Sequence, residues 1–326
     1  MNSWGERFRL SLWGESHGEQ IGVSIDGLPA GIALCEEDFE ADLSRRRAGS
    51  AGTTPRCESD APHIISGLFE GHTTGTPLTI LFRNENTRSK DYSSLKSHPR
   101  PSHADFVAQQ KYGGYNDYRG GGHFSGRVTV ALVAAGVVAK KILGNTIDFT
   151  TDITHIGGCA DKEQFTAIIA EAQREQDSVG GVVECRVNGI PTGWGEPFFD
   201  SAESLIAHLL FSVPAIKGVE FGRGFSAAAM RGSEHNDCII EADGTTLTNH
   251  AGGIVGGITN GNELVVRAAV KPTASIAKEQ MTYNFASGKV EPLAITGRHD
   301  TCIALRAAVV VEAAIAIALA ELKLRA

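Results

Sequence analysis

The residues of this chain that could do chemistry keep the same company. His17 stands in "GESHG", His103 in "RPSHAD", His123 in "RGGGHFSGR" and His299 in "TGRHD", and Arg100, Arg119, Arg127 and Arg298 share the last three of these stretches. Imidazole exchanges protons near neutral pH. A guanidinium fork pairs bidentately with carboxylate or phosphate and keeps its charge. Glycine beside both lets backbone approach a ligand or take positive φ, although tight turns in a sheet-rich protein would use it too. The combination predicts proton transfer on a polyanionic small molecule. His103 gains from its place. "SHADFVAQQKYGG" has Ser102 as N-cap and Asp105 three residues on, a capping-box variant that sets His103 in the first turn of a helix. The positive end of that helix favours neutral imidazole and attracts anions. The run Arg45, Arg46, Arg47 would alone read as a solvated helix end and joins the set only through its company. "KPTAS", residues 271–275, offers an ammonium and two hydroxyls after a predicted strand, as a phosphate cradle or as an ordinary loop.

Ser16 raises a different chemistry. Gly14 to Gly18 fits the G-x-S-x-G of a hydrolase elbow, which needs a strand before the serine and a helix directly after it. The next residues, "EQIGVSIDGL", alternate like a strand, and residue 14 precedes any strand and helix unit that could build the sheet. A motif with two free positions arises often by chance. These grounds count against the hydrolase reading.

Several elements must position these groups. "GVSIDGL", "GVVECRVNGI" and "NELVVRAAVKP" alternate as half-buried strands. "CEEDFEADLSRRRAG" has acids in its first turn, Leu34, Phe39 and Leu43 at helical spacing, arginines in its last turn and Gly49 to stop it. "GRVTVALVAAGVVAKKILG" and "CIALRAAVVVEAAIAIALAEL" are apolar on nearly every face, so both predict helices covered on all sides. Each comes after a glycine, arginine and histidine loop, a hint of a duplicated strand and helix unit. The simplest arrangement places inner helices between outer sheets.

Composition bounds the function. A chain of 326 residues with 42% hydrophobic content can bury a substantial core. Net charge is −8, so overall charge recruits neither nucleic acid nor an acidic membrane, and an anionic ligand needs a local basic cluster. Cys35, Cys57, Cys159, Cys185, Cys238 and Cys302 form no C-x-x-C pair, which argues against a zinc site or disulfide framework and for a reducing cytoplasm. Glu6, Arg7 and Arg9 interrupt what a signal peptide would keep apolar. Arg306, Glu312, Glu321 and Lys323 make residues 303–324 a buried helix rather than a membrane span. No metal site is predicted.

"FRLSLWGESHG", "RRRAG", "ENTRSKDYSSLK", "RPSHADFVAQQKYGGYNDYRGGG", "NHAGGIVGGITNG", "KPTASI" and "GRHDTC", in this order over nearly the whole chain, resemble chorismate synthase. The resemblance implies a 1,4-anti elimination of phosphate from 5-enolpyruvylshikimate 3-phosphate, giving chorismate in the shikimate pathway, with reduced FMN (FMNH2) as cofactor and NADPH as a possible external reductant. It also implies a single α+β domain over residues 1–326, helices sandwiched between two antiparallel β-sheets, assembled as a cytoplasmic homotetramer.

Carried over residue by residue, His17 matches the acid that protonates departing phosphate and His103 the group that protonates reduced flavin. Asp300 and Ser16 match the pair that moves a proton from flavin N5. Arg46, Arg100, Arg127 and Arg298 match arginines holding substrate anions or flavin, with Arg46, Arg100 and Arg127 assigned to substrate or NADPH and Arg298 to the cofactor. His123, Phe124, Ser125, Gly256 and the segment Lys271, Pro272, Thr273, Ala274 and Ser275 match flavin contacts. The chain departs from the family pattern in three places. "HFSGRVT" replaces R-S-S-A-R-E-T, the segment after Arg47 is shorter and lacks another arginine, and Thr301 replaces proline. Two other readings stay open on sequence, a serine hydrolase and a non-catalytic flavin or sugar-phosphate binder.

Overall fold

The computed structural model describes residues 2–49, 51–54, 58–86, 95–295, 297 and 299–326. Arg298 and residues 87–94 of "ENTRSKDYSSLK" lie outside these.

Two antiparallel sheets form the outer layers. The first orders β1 (Ser3–Trp4), β2 (Arg9–Gly14), β3 (Gln20–Asp26), β7 (Leu78–Arg83) and β4 (His63–Ser66). The second orders β10 (Ile216–Phe221), β13 (Leu264–Val270), β9 (Gly181–Asn188) and β8 (Asp148–Ile156). Two-residue periodicity explains which face turns inward. Ile21, Val23 and Ile25 of β3, Leu78, Ile80 and Phe82 of β7, and Val183, Cys185 and Val187 of β9 are all fully buried. The short pairs β5 (Leu68–Phe69) with β6 (His72–Thr73), β11 (Ile254–Val255) with β12 (Ile258–Thr259), and β14 (Gln280–Asn284) with β15 (Lys289–Leu293) stand apart.

Between the sheets lie α3 (Thr129–Leu143) and α7 (Ala304–Arg325), the two segments apolar on every face. The first packs on β3 and β7, the second on β8 and β9, and the two pack on each other. Their close approach has a local cause: a Cβ on Gly136 would lie 2.4 Å from the Cβ of Ala313, so only glycine fits there. α1 (Glu40–Arg46) and α5 (Ala202–Ser212) flank this pair. α2 (Asp105–Lys111), α4 (Phe165–Arg174) and the single turn α6 (Gly232–His235) lie outside it. The predicted inner helices between outer sheets are the arrangement found, an α+β fold. Among the described residues no helix is long and apolar enough to cross a membrane.

Two local expectations fail. α1 is preceded by a 3-10 turn at Glu36–Phe39 and ends at Arg46, three residues before Gly49. Ser102 does not cap α2. It takes φ 56, the cap position is Ala104 without a side-chain bond, and His103 precedes the helix instead of lying in its first turn. Asp105 is drawn away from the capping role by Arg100 and His103, whose charged contacts outweigh a single cap bond.

Candidate active site

Ser16 and His17 sit in the connection between β2 and β3, and β3 comes directly after them, so no helix completes a hydrolase elbow. Both are buried, and the Ser16 amide donates to the Gly122 carbonyl at 3.0 Å. The glycine run of "RGGGH" explains how. A Cβ on Gly120 would fall 2.7 Å from the His17 ring and 3.0 Å from Ser16 Oγ, and one on Gly121 would fall 3.3 Å from His103 Nε2. Both glycines have positive φ, 59° and 83°. Two successive residues without side chains thus let one loop touch both candidate proton donors. His123, next in sequence, donates from Nδ1 to the Gly14 carbonyl at 2.7 Å, since a carbonyl only accepts.

His103 belongs to a small buried ion cluster. Arg100 grips Asp105 through Nε and Nη2, each at 2.7 Å, and extends Nη1 to Ser275 Oγ at 2.8 Å. His103 Nδ1 lies 2.7 Å from Asp105 Oδ1. Burial pushes the Asp105 carboxyl up, but hydrogen bonds from Arg100 and His103 outweigh it and hold it below the usual carboxylate range. The His103 pKa is lowered chiefly by burial, with Arg100 adding to the effect and Asp105 opposing it. Burial, not the helix end proposed from sequence, is therefore the leading cause of its neutrality.

A second cluster is rich in guanidinium. Arg46 is nearly sealed. It donates to Thr129 Oγ1 at 3.1 Å, Asp60 Oδ2 at 3.2 Å, and the carbonyls of Gly126 at 2.9 Å and Arg127 at 3.1 Å. Arg127 pairs with the other Asp60 oxygen and reaches Asn84 Oδ1 at 3.0 Å. Arg306 Nη1 pairs with Asp300 Oδ2 at 3.1 Å, and Asp300 Oδ1 accepts from the Thr54 amide at 2.8 Å. Burial and the nearby Arg306 guanidinium push Arg46 down to about 9, still charged at neutral pH. For Asp60, burial is opposed and outweighed by Arg46 and Arg127, which hold it below its ordinary value.

Both clusters open on one cavity of about 770 Å³. Its walls carry Ser16, His17, Arg46, Arg100, His103, His123, Phe124, Ser125, Arg127, Asp300 and the whole of 271–275, so the sequence-predicted residues converge from separated stretches of the chain. Gly256 does not join them. Its turn joins β11 to β12, and the neighbouring Gly257 carbonyl binds the Ala202 amide at the start of α5, whereas the cavity is lined by the other end of that helix, from His208 onward. At 1.5 Å per residue the two ends lie about 10 Å apart. Asp60 and Arg306 were not foreseen, though both line the cavity. Arg306 had a legible signal, since a cation inside a buried helix needs a partner. Asp60 had none.

The chorismate synthase family model matches residues 8–324. The chain belongs to the chorismate synthase family. A chorismate synthase of Chitinophaga pinensis is 62% identical over 325 residues, covering 99% of this chain and 97% of that relative. One from Korarchaeum cryptofilum is 44% identical over 346 residues, with 98% and 96% covered. A solved chorismate synthase structure superposes with a TM-score of 0.75 at 28% identity, over 99% of this chain and 93% of that one. The enzyme class, a lyase, and the sheet–helix–helix–sheet architecture accord with membership in the chorismate synthase family.

Proposed function

We propose that this chain removes phosphate from 5-enolpyruvylshikimate 3-phosphate by 1,4-anti elimination, giving chorismate, with reduced FMN as cofactor. The observation that carries the reading is the convergence of a buried histidine, His17, a half-buried one, His103, and three buried arginines on one cavity. Substrate and FMN are both polyanions, and like charges packed together away from water repel by several kcal/mol unless cations face them.

The residues present fit a flavin phosphate. Thr273 Oγ1 is buried without a hydrogen bond among the described residues, beside Lys271 and Ser275 on the cavity wall. Lys271, Thr273 and Ser275, with His123, Phe124 and Ser125, would hold the cofactor. Reduced FMN bound there would supply electron density for allylic C–O cleavage without net redox change. His17 delivers a proton to the departing phosphate. His103 holds a proton at Nε2 on the cavity side when its ring is charged. Ser16 and Asp300 would handle the proton at flavin N5, with Asp300 held in place by Arg306 Nη1 at 3.1 Å. Arg46, Arg100 and Arg127 each donate to protein oxygens through all three guanidinium nitrogens, so each would offer an anion only its remaining N–H groups and its charge. Arg298 is retained as an anchor on the family pattern alone.

Assembly as a homotetramer is part of the same proposal. Phe198, Phe199, Phe225 and Leu247 are large apolar side chains left well exposed, an unusual load for a lone subunit. Keeping Gly256 as a flavin contact requires that turn to come from a second copy. NADPH, as an external reductant, would supply electrons to the flavin, and a cytoplasmic location keeps that supply at hand.

The test is an anaerobic assay of purified chain with substrate and chemically reduced FMN, following chorismate. Chorismate formation supports the reading. FMN binding without turnover would leave a mere binder, and ester cleavage without flavin would restore the hydrolase.

A further inference from the structure

We propose that Asp105 is a positioning residue that fixes the tautomer of His103, with Nδ1 protonated and Nε2 presented to the cavity. This rests on the reading of His103 as a proton-handling group.

The argument is one of donors and acceptors. His103 Nδ1 has two polar neighbours, Asp105 Oδ1 at 2.7 Å and Arg100 Nη2 at 3.1 Å. Arginine has no acceptor and an ionised carboxylate has no donor, so the proton on Nδ1 is decided by which neighbour it serves. Arg100 Nη2 already donates to Asp105 Oδ1 at 2.7 Å, while its Nε and backbone amide share Oδ2 at 2.7 and 3.1 Å. The shorter, charge-assisted contact therefore runs from His103 Nδ1–H to Asp105, and the other ring nitrogen is left for the cavity, where Gly121 makes room. Asp105 is itself held rigidly, because Arg100 is anchored at its far end by Ser275.

The charged groups facing His103 are Arg100 and Asp105 from its own loop and Lys271 from the segment after β13. Asp105 alone favours the protonated ring.

Asparagine at 105 keeps one oxygen and gains an amide. The two Arg100 donors that share Oδ2 retain the oxygen, so the amide faces His103 and Nδ1 must accept. The ring proton then moves to Nε2, and the pKa of His103 falls further.

The wild-type tautomer decides the matter without any cofactor. A neutron structure of the deuterated full chain at pH 8 should show deuterium on Nδ1 of His103 and none on Nε2, reversed in Asp105→Asn. Turnover with saturating reduced FMN should drop about 10²- to 10⁴-fold in Asp105→Asn, and the alkaline limb of its kcat profile should move to lower pH. Deuterium on Nε2 in the wild type, or a tautomer unchanged by Asp105→Asn, overturns the proposal. A reversed tautomer with undiminished turnover would uphold the positioning and remove His103 from the catalytic reading.

Discussion

Arg45 and Arg46 are neighbours in sequence, yet they enter two different buried ion clusters. Arg45 reaches Glu312 through Nη1 at 2.8 Å and Nη2 at 2.7 Å, and Lys140 joins Glu312 at 2.5 Å and Asp42 at 2.6 Å. That network ties α1, α3 and α7 together, sets two cations against two carboxylates, and lines no part of the cavity. Arg46 enters the other cluster, where Arg46 and Arg127 pair with Asp60, and Arg306 pairs with Asp300. The balanced network is shared by three helices, with its carboxylates buried and Arg45 reaching solvent. The cluster with surplus positive charge is the one that faces open space. Burial of charge alone does not separate the two clusters; the adjoining cavity does.

The strongest way to break that distinction is to remove the groups that do chemistry without holding the fold. His17→Ala and His103→Ala should each lose about 10²- to 10⁴-fold in kcat with reduced FMN saturating, while circular dichroism and melting stay close to the parent. Parental rates in either variant would place that histidine outside the mechanism.

Glu312→Ala should do the reverse. Stripping the shared carboxylate from Arg45 and Lys140 should cost about 3 kcal/mol of stability in denaturant unfolding, with KM for the substrate unchanged. A raised KM with no loss of stability would reverse the two roles. Acid offers the same contrast without mutation. Burial raises the Glu312 carboxyl, but Arg45 and Lys140 outweigh it and bring it from the ordinary 4.5 down to about 2. A depressed folded-state pKa contributes stability that is full above pH 4.5 and fades as pH falls toward 2. That contribution is about 3 kcal/mol at roughly 1.36 kcal/mol per unit, and Glu312→Gln should flatten that part of the stability curve.

A smaller effect sharpens the cavity side. Arg127→Ala should raise the substrate KM about 10- to 100-fold, the range for one charge-assisted hydrogen bond, and Arg127→Lys should recover only part of it. If Arg127→Ala binds substrate and FMN like the parent at low salt, the surplus charge has another purpose. The smallest effect is that of salt itself. Between low and physiological ionic strength KM should rise modestly, because screening reaches a cavity open to solvent, while stability from the Glu312 network should change less, its carboxylate being buried.

Much of this was legible in the sequence, for reasons that differ by element. α3 and α7 announce themselves because an all-apolar helix has nowhere to go but between layers, and β3, β9 and β13 because alternation tracks the pleat. The grouping of His17, His103, Arg100 and Arg127 with glycines was legible in the sequence, and all four line the cavity. Asp60 was not, since "CESDAP" reads as any polar loop, and its pairing with Arg46 and Arg127 exists only in three dimensions. "SHAD" misled for a related reason: a local capping pattern lost to a tertiary ion pair. Glu312 and Glu321 stood in the sequence only as interruptions of an apolar run. Glu321 in fact accepts the amides of Glu6, Arg7 and Phe8, the last at 2.6 Å, and so fastens the start of the chain to its end.

Under the proposed elimination the flavin must be reduced and yet is not consumed, because substrate and product stand at one oxidation level. Its most direct test is anaerobic stoichiometry, with a small amount of dithionite-reduced FMN, excess 5-enolpyruvylshikimate 3-phosphate and the purified chain. Many chorismates for each flavin, with the flavin still reduced at the end, is the predicted result. One chorismate per flavin, with oxidised FMN left behind, would show a net redox reaction and contradict the account.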